Sequence, residues 1–198
     1  KARIEYALQG GKMNIDGIDN AAGVDTSDHE VNLKILLNNI KNKGILSEDE
    51  ANSTFHGLTD QVVNLVLWSN YQQSLAISKD ENLSKKYLSD FVLSIEVLEK
   101  HIPTFNRRDF YIPKNESINE IVGINKTIVR PVISSLISCS KIFIKKVLLD
   151  STMIDEAFSL PYLKKYFPKS FWSAYEHEIV EHPLRREIIA TKIADTIV

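Results

Sequence analysis

The chain has 198 residues and a mass of 22.5 kDa, which is enough to bury a core in one large domain or two small ones. Hydrophobic residues make up 43% and charged residues 25% of the sequence, a globular balance that excludes disordered and collagen-like chains. The net charge of −2 supplies no concentrated basic surface, so we expect neither a nucleic-acid partner nor a membrane partner. Only seven Gly and six Pro are present, which favours long helices over tight turns.

The cysteine content and the start of the chain bear on its cellular setting. The one cysteine, Cys139, cannot form an internal disulfide, which favours a reducing compartment and a cytoplasmic location. No apolar run approaches the roughly 18 residues that a membrane span needs. Lys1 is neither an initiator Met nor the start of a signal peptide, so we expect the chain to begin partway through a longer protein.

The N-terminal segment differs from the rest because four of the seven glycines lie in its first 23 residues. Residues 3–8 predict the end of a helix that stops at the following glycines. The alternation of polar and apolar residues over residues 12–16 predicts a short strand. Residues 18–24 then predict an irregular loop.

Helix signals follow this loop. The sequence at residues 27–30 is a capping box, which predicts a helix from there to about residue 42. A second box at residues 47–50 predicts a short helix. Thr59 caps a third helix, in which residues 62–68 are so apolar on all sides that we expect this helix to be central.

The second half of the chain predicts further helices. Helical spacing of apolar residues indicates a helix over residues 82–100, and residues 102–116 read as a linker. A capping box at residues 117–120 predicts a short helix, and Thr127 caps a long one over residues 128–150. The sequence therefore predicts a mainly α-helical fold with about eight or nine helices and at most one short strand. We expect four consecutive parts: residues 1–26, 27–101, 102–126 and 127–198.

Two features suggest chemistry at first sight. His177 and His182 frame a sequence like the zinc signature H-E-x-x-H, but they are five residues apart and so about 140° apart around a helix. We therefore expect a solvated charged surface there and no metal site. Cys139 lies on an apolar helix face without a nearby basic group, so we expect a buried structural thiol.

The region around residue 25 leaves alternatives open. Asp25, Asp28, His29 and Glu30 could form a cation site, although carboxylates in the first turn of a helix are favoured by its dipole alone. The loop at residues 19–27 combines small residues with a following helix N-terminus, which can bind a carboxylate or a phosphate. An ordinary capped turn would give the same pattern.

Residues 18–32 read IDNAAGVDTSDHEVN, and this segment resembles the large bacterial NAD-specific glutamate dehydrogenases. The resemblance covers nearly the whole chain and is least distinctive over residues 79–116. In that family such a chain is the end of the catalytic region followed by a helical C-terminal region. Shorter runs also carry the resemblance: residues 2–7, 10–16, 58–60, 70–71, 130–131, 141–142, 166–168 and 184–191.

The same segment is similar to the N-A-G-G-V-x-x-S segment of the smaller glutamate dehydrogenases. There the Asn lies by the nicotinamide end of NAD and the Ser contacts the distal carboxylate of glutamate. The resemblance thus implies cofactor binding by Asn20 and substrate binding by Ser27. Ala22 stands where the smaller enzymes have the first Gly, and Asp28 and His29 replace their aromatic pair.

The resemblance implies that the parent protein converts L-glutamate to 2-oxoglutarate and ammonia with NAD as hydride acceptor. The chain has no G-x-G-x-x-G motif, and the family's catalytic lysines and aspartate would lie upstream of Lys1. We therefore expect no catalytic residue, no NAD binding and no glutamate turnover in the chain alone. Expected partners are the remainder of the parent chain and further copies of the parent. The alternative is a stand-alone helical interaction or regulatory module without enzyme activity.

Overall fold

The computed structural model describes residues 1–198 and contains eleven α-helices, four 3₁₀ helices and one isolated β-bridge. The prediction of a mainly α-helical fold is confirmed. None of the helices combines the length and the apolar character that a membrane crossing requires. The α-helices are α1 (Ala2–Leu8), α2 (Asp16–Asp19), α3 (Ala21–Asn42), α4 (Glu48–Gly57), α5 (Thr59–Ser84), α6 (Leu88–His101), α7 (Arg130–Leu149), α8 (Leu160–Tyr166), α9 (Lys169–Ala174), α10 (Glu176–Val180) and α11 (Arg185–Ile197).

The short strand expected over residues 12–16 does not form. The stretch before Asp16 is irregular, and Asp16 begins α2. An alternating segment needs a partner strand for its backbone hydrogen bonds, and here two of its carbonyl groups bond to other partners instead. The Asn14 carbonyl accepts from the Arg3 guanidinium at 2.9 Å, and the Ile15 carbonyl accepts from the backbone N–H of Ile18 at 3.1 Å.

The largest correction concerns the start of α3. The sequence predicts a loop over residues 18–24 and a helix that begins at Ser27, whereas the helix begins six residues earlier, at Ala21. Ala21 and Ala22 have high helix propensity, and the Thr26 hydroxyl donates to the Ala22 carbonyl at 2.7 Å, within the helix. The capping box expected at Ser27 therefore does not exist.

The box at the start of α4 forms as predicted. The Ser47 hydroxyl accepts from the backbone N–H of Glu50 at 3.3 Å, and the Glu50 carboxylate accepts from the backbone N–H of Ser47 at 2.8 Å. These hydrogen bonds to Ser47 lower the pKa of Glu50.

Thr59 is the first residue of α5 and does not cap it, because its hydroxyl donates to the His56 carbonyl at 2.9 Å. The helix continues to Ser84, and α6 begins only at Leu88. The expectation that its first part is central is wrong, because Leu67 and Trp68 are each 61% exposed. A helix that is apolar on all sides is typically buried, but four apolar side chains on one side of α5 are exposed: Val63, Leu67, Trp68 and Tyr71. We call this side the bare face of α5.

The region between α6 and α7 has no α-helix. The capping box expected at residues 117–120 lies inside a 3₁₀ helix, and the long helix after Thr127 starts at Arg130. The four 3₁₀ helices are Arg107–Phe110, Asn115–Ile121, Met153–Asp155 and Ala157–Ser159.

The chain forms two compact units. Unit 1 contains residues 1–19, 71–143 and 198, and unit 2 contains residues 20–70 and 144–197. Each unit is thus assembled from segments that are distant in the sequence. The division into four consecutive parts stays a prediction.

Each unit has its own hydrophobic core. In unit 2, α8 packs on α11 and α4 packs on α3. The core of unit 1 includes Ile77, Ile95, Ile121, Ile128 and Ile133. The core of unit 2 includes Leu33, Leu36, Ile40, Leu163, Phe171, Ile179 and Ile189.

Candidate functional site

The first two turns of α3 carry both residues that the sequence identified. Asn20 is the N-cap residue, and its side chain makes no capping hydrogen bond. Ser27 lies inside the helix rather than at its start, so the expected site at a helix N-terminus does not include Ser27. Seven residues span about two turns and 10 Å along a helix axis. Asn20 and Ser27 therefore lie on one face, and both are exposed.

The surface between these two residues is small and uncharged. Val24 is 66% exposed, Val31 is also exposed, and Ser27 lies between them on the same face. Gly23 is exposed too, and a Cβ atom there would come within 3.1 Å of the Asn20 amide oxygen. The absence of a side chain at residue 23 therefore leaves the Asn20 amide open to an approaching molecule.

The acidic residues expected in a first turn lie further along α3. Because the helix begins at Ala21, Asp28 and Glu30 lie well beyond the turn in which the dipole favours a carboxylate. Glu30 instead forms an ion pair with Lys34, with the carboxylate oxygen 2.5 Å from Nζ. The prediction that the helix dipole explains the acidic residues at positions 28 and 30 is therefore wrong.

His29 lies on the opposite, buried face of α3 and is only 4% exposed. Burial lowers the pKa of His29 although the nearby Asp25 carboxylate acts to raise it. The distance from His29 Nε2 to the Asp25 carboxylate is 3.8 Å, too long for a hydrogen bond. His29 is therefore a buried imidazole for which folding favours the neutral form.

Tyr166, at the end of α8, contacts three residues of α3. Its hydroxyl donates to the Asp28 carboxylate at 2.7 Å and accepts from the Asn32 amide at 2.8 Å. Its ring stacks on His29 with 4.3 Å between centroids. Burial, followed by the hydrogen bond to Asp28, raises the pKa of Tyr166, so the hydroxyl keeps its proton.

His182 fixes a second point of α3. Its Nδ1 accepts from the backbone N–H of Leu184 at 3.1 Å, so the proton is on Nε2, which lies 3.2 Å from the Asn32 carbonyl oxygen. Burial lowers the pKa of His182. The expectation of a solvated surface is therefore wrong for His182, whereas His177 is exposed beside Glu181.

The structure contains no group of three or more His, Cys, Asp or Glu side chains placed so that they could hold a metal ion.

Sequence reasoning missed the roles of Tyr166, Asn32 and His182. Residues 166–168 carry part of the family resemblance, which pointed to Tyr166 as a residue of interest. Nothing in the sequence identified its partners on α3.

Cys139 is buried, as predicted, and burial raises the pKa of its thiol.

A second polar network lies in unit 1 around Arg130, the first residue of α7. Its guanidinium donates to the Asn14 amide oxygen at 3.1 Å, to the Ser78 hydroxyl at 3.0 Å and to the Glu81 carboxylate at 2.9 Å. This network holds the irregular stretch that precedes α2 against α5 and α7.

Comparison with known proteins shows the class and the family to which this chain belongs. Residues 1–80 match the model of the bacterial NAD-glutamate dehydrogenase catalytic domain, and residues 125–198 match that of the glutamate dehydrogenase C-terminal region. Both are regions of dehydrogenases, a class of oxidoreductases. The chain belongs to the family of large bacterial NAD-specific glutamate dehydrogenases.

Three curated relatives, each named NAD-specific glutamate dehydrogenase, match over essentially the whole chain. Those of Halomonas elongata and Pseudomonas aeruginosa are 35% and 36% identical over 100% of the chain. That of Mycobacterium tuberculosis is 31% identical over 99% of it. The chain spans only 12% of the length of each relative.

Unit 2 contains residues from both matched regions. Its first segment, residues 20–70, lies in the catalytic match, and residues 144–197 lie in the C-terminal match. The contacts of Tyr166 and His182 with α3 therefore connect the two regions within one compact unit.

Proposed function

We propose that the protein to which this chain belongs converts L-glutamate to 2-oxoglutarate and ammonia, and that NAD accepts the hydride. The observation that carries the proposal is the open face of α3, where Asn20 and Ser27 lie about two turns apart on one side. The names of the curated relatives and the resemblance of residues 18–32 to the family support the same reaction.

Asn20 would contact the nicotinamide end of NAD. Support comes from Gly23, since the Asn20 amide is uncrowded only while residue 23 has no side chain. An exposed N-cap side chain without a capping hydrogen bond is also free to bond a ligand. NAD, when bound, supplies the carbon that accepts the hydride.

Ser27 would donate a hydrogen bond to the distal carboxylate of glutamate. Its hydroxyl is exposed on α3 between Val24 and Val31, whose side chains can pack against the methylene groups of the substrate. A hydroxyl beside two apolar side chains suits a short aliphatic chain that ends in a carboxylate.

The chain alone would be inactive, because the resemblance assigns hydride transfer and imine chemistry to lysines and an aspartate elsewhere in the parent chain. In this proposal the remainder of the parent chain supplies those groups and covers the open face of α3. Further copies of the parent would add contacts to the helical regions.

The test is the substitution Ser27→Ala in the full-length protein. We expect the KM for glutamate to rise about tenfold while kcat changes little, because a hydrogen bond to a remote carboxylate is made equally in the ground state and the transition state. Ser53→Ala is the matched control, since Ser53 is also an exposed helical serine of unit 2. A normal KM for glutamate in Ser27→Ala would refute the substrate role of Ser27.

A further inference from the structure

We infer that Tyr166 is a positioning residue for the open face of α3, which carries Ser27. Through it the C-terminal region would influence the affinity for glutamate from the opposite, buried face of the helix. The inference rests on the proposed function, because it takes Ser27 as the group that binds the distal carboxylate. Tyr166 itself lies on the buried side of α3 and has no access to the open face.

The Tyr166 hydroxyl forms hydrogen bonds with α3 at two positions along the helix axis. It donates to the carboxylate of Asp28, the residue after Ser27, at 2.7 Å. It also accepts from the amide of Asn32, one turn further along the helix, at 2.8 Å. Two hydrogen bonds to residues on successive turns resist both rotation of the helix about its axis and sliding along it.

The surroundings of Tyr166 make this contact rigid. The ring lies against His29 at a centroid distance of 4.3 Å with an interplanar angle of 22°, and it meets Phe167 edge to face at 5.0 Å. The same Asn32 whose side chain bonds Tyr166 offers its carbonyl oxygen to His182 at 3.2 Å. Tyr166 and His182, both from residues 144–197 of unit 2, thus hold the buried face of α3.

The consequence for Ser27 follows from helix geometry. Adjacent residues project about 100° apart around a helix, so a helix fixed through Asp28 also has a fixed direction at Ser27. Loss of the Tyr166 hydroxyl leaves the ring packing in place but removes both hydrogen bonds. The expected effect is a less well oriented Ser27 hydroxyl rather than an unfolded protein.

The test uses the full-length protein with Tyr166→Phe, Ser27→Ala and the double substitution. We expect Tyr166→Phe to raise the KM for glutamate about fivefold with kcat within about twofold of the original value. We expect the double variant to have the same KM as Ser27→Ala alone, because a misplaced hydroxyl matters only while Ser27 has one. Tyr162→Phe, on the same helix but outside this network, is the control.

The outcomes separate the two claims. If Ser27→Ala leaves the KM for glutamate unchanged, the proposed function of Ser27 fails. If Ser27→Ala raises that KM while Tyr166→Phe does not, or if the two effects multiply in the double variant, the positioning role fails alone. Should Tyr166→Phe not yield folded protein, Asp28→Ala removes one of the two hydrogen bonds of the Tyr166 hydroxyl from an exposed residue, and it must also raise the KM in a way that is not additive with Ser27→Ala.

Discussion

The hydroxyl of Tyr166 donates a hydrogen bond of 2.7 Å to the carboxylate of Asp28, which lies 138 residues earlier in the chain. Asp28 belongs to the region that matches the catalytic domain, and Tyr166 to the region that matches the C-terminal one. The C-terminal region therefore does more than follow the catalytic region along the chain, because it forms part of the same compact unit.

The two candidate capping serines give a direct prediction about stability. Ser47→Ala should destabilise the 198-residue chain by about 1 kcal/mol, because it removes a capping box that forms. Ser27→Ala should be neutral or slightly stabilising, since alanine is the better residue inside an exposed helical turn. Urea unfolding of both variants measures the difference. If the two substitutions lowered the free energy of unfolding equally, Ser27 would act as a cap and α3 would begin there.

Acid should destabilise unit 2. Burial lowers the pKa of His29 and that of His182 below the ordinary value of 6.5, so the folded chain binds fewer protons than the unfolded chain as the pH falls. The stability that these neutral imidazoles provide is complete above about pH 6.5 and is lost as the pH falls through the lower pKa of each folded residue. Asp25 and Asp28 act to raise the pKa of His29 and Lys192 acts to lower it, while Glu187 acts to raise that of His182.

Denaturant unfolding between pH 5 and 8 checks this pH dependence. His182→Gln should lower the stability at pH 7.5 and flatten the decline toward pH 5, because one of the two titrating imidazoles is gone. His177→Gln is the control, since the His177 side chain is 73% exposed, and it should keep the original profile. An unchanged slope in His182→Gln would contradict the prediction.

Core packing should distinguish two leucines of unit 2. Leu163 is completely buried, so Leu163→Ala leaves a cavity and should cost about 2 to 5 kcal/mol in the free energy of unfolding. Leu67 is exposed on the bare face of α5, and Leu67→Ala should change stability by less than about 0.5 kcal/mol. Guanidinium unfolding measures both values, and a loss at residue 67 comparable to that at residue 163 would show that α5 is covered.

Activity should require more than this chain. We expect the isolated 198 residues to form no NADH from glutamate and NAD, whereas the full-length protein assayed alongside should form it. The reason is that, in the proposed function, α3 contributes Asn20 and Ser27 to binding, whereas the groups for hydride transfer and imine chemistry belong to the remainder of the parent chain. Glutamate-dependent NADH formation by the isolated chain would overturn this division of roles.

Local signals predicted much of the fold. The box at Ser47 and the buried Cys139 follow from chemistry within a few residues or from the apolar pattern of one helix. The same kind of signal failed at Ser27, since a matching box pattern occurs inside a helix that already begins at Ala21. A capping pattern indicates a possible helix start but does not exclude an earlier one.

The candidate site was predictable only in part. The resemblance of residues 18–32 identified Asn20 and Ser27, and periodicity then implies that a residue seven positions after the N-cap lies on the same face as the N-cap residue. The partners of the buried face were not predictable, because Tyr166 and His182 reach α3 from more than a hundred residues away.

The sequence by itself determined that this protein is helical, which short segments carry the family resemblance, and where several helices begin. These properties depend on backbone propensity, capping and spacing, which act over about one helical turn. Only the tertiary structure decided that α3 starts before Ser27, that one face of α5 is bare, and that Tyr166 fixes α3 through Asp28 and Asn32. The physical reason is that burial and long-range hydrogen bonds depend on which distant segments meet, and no local pattern records that.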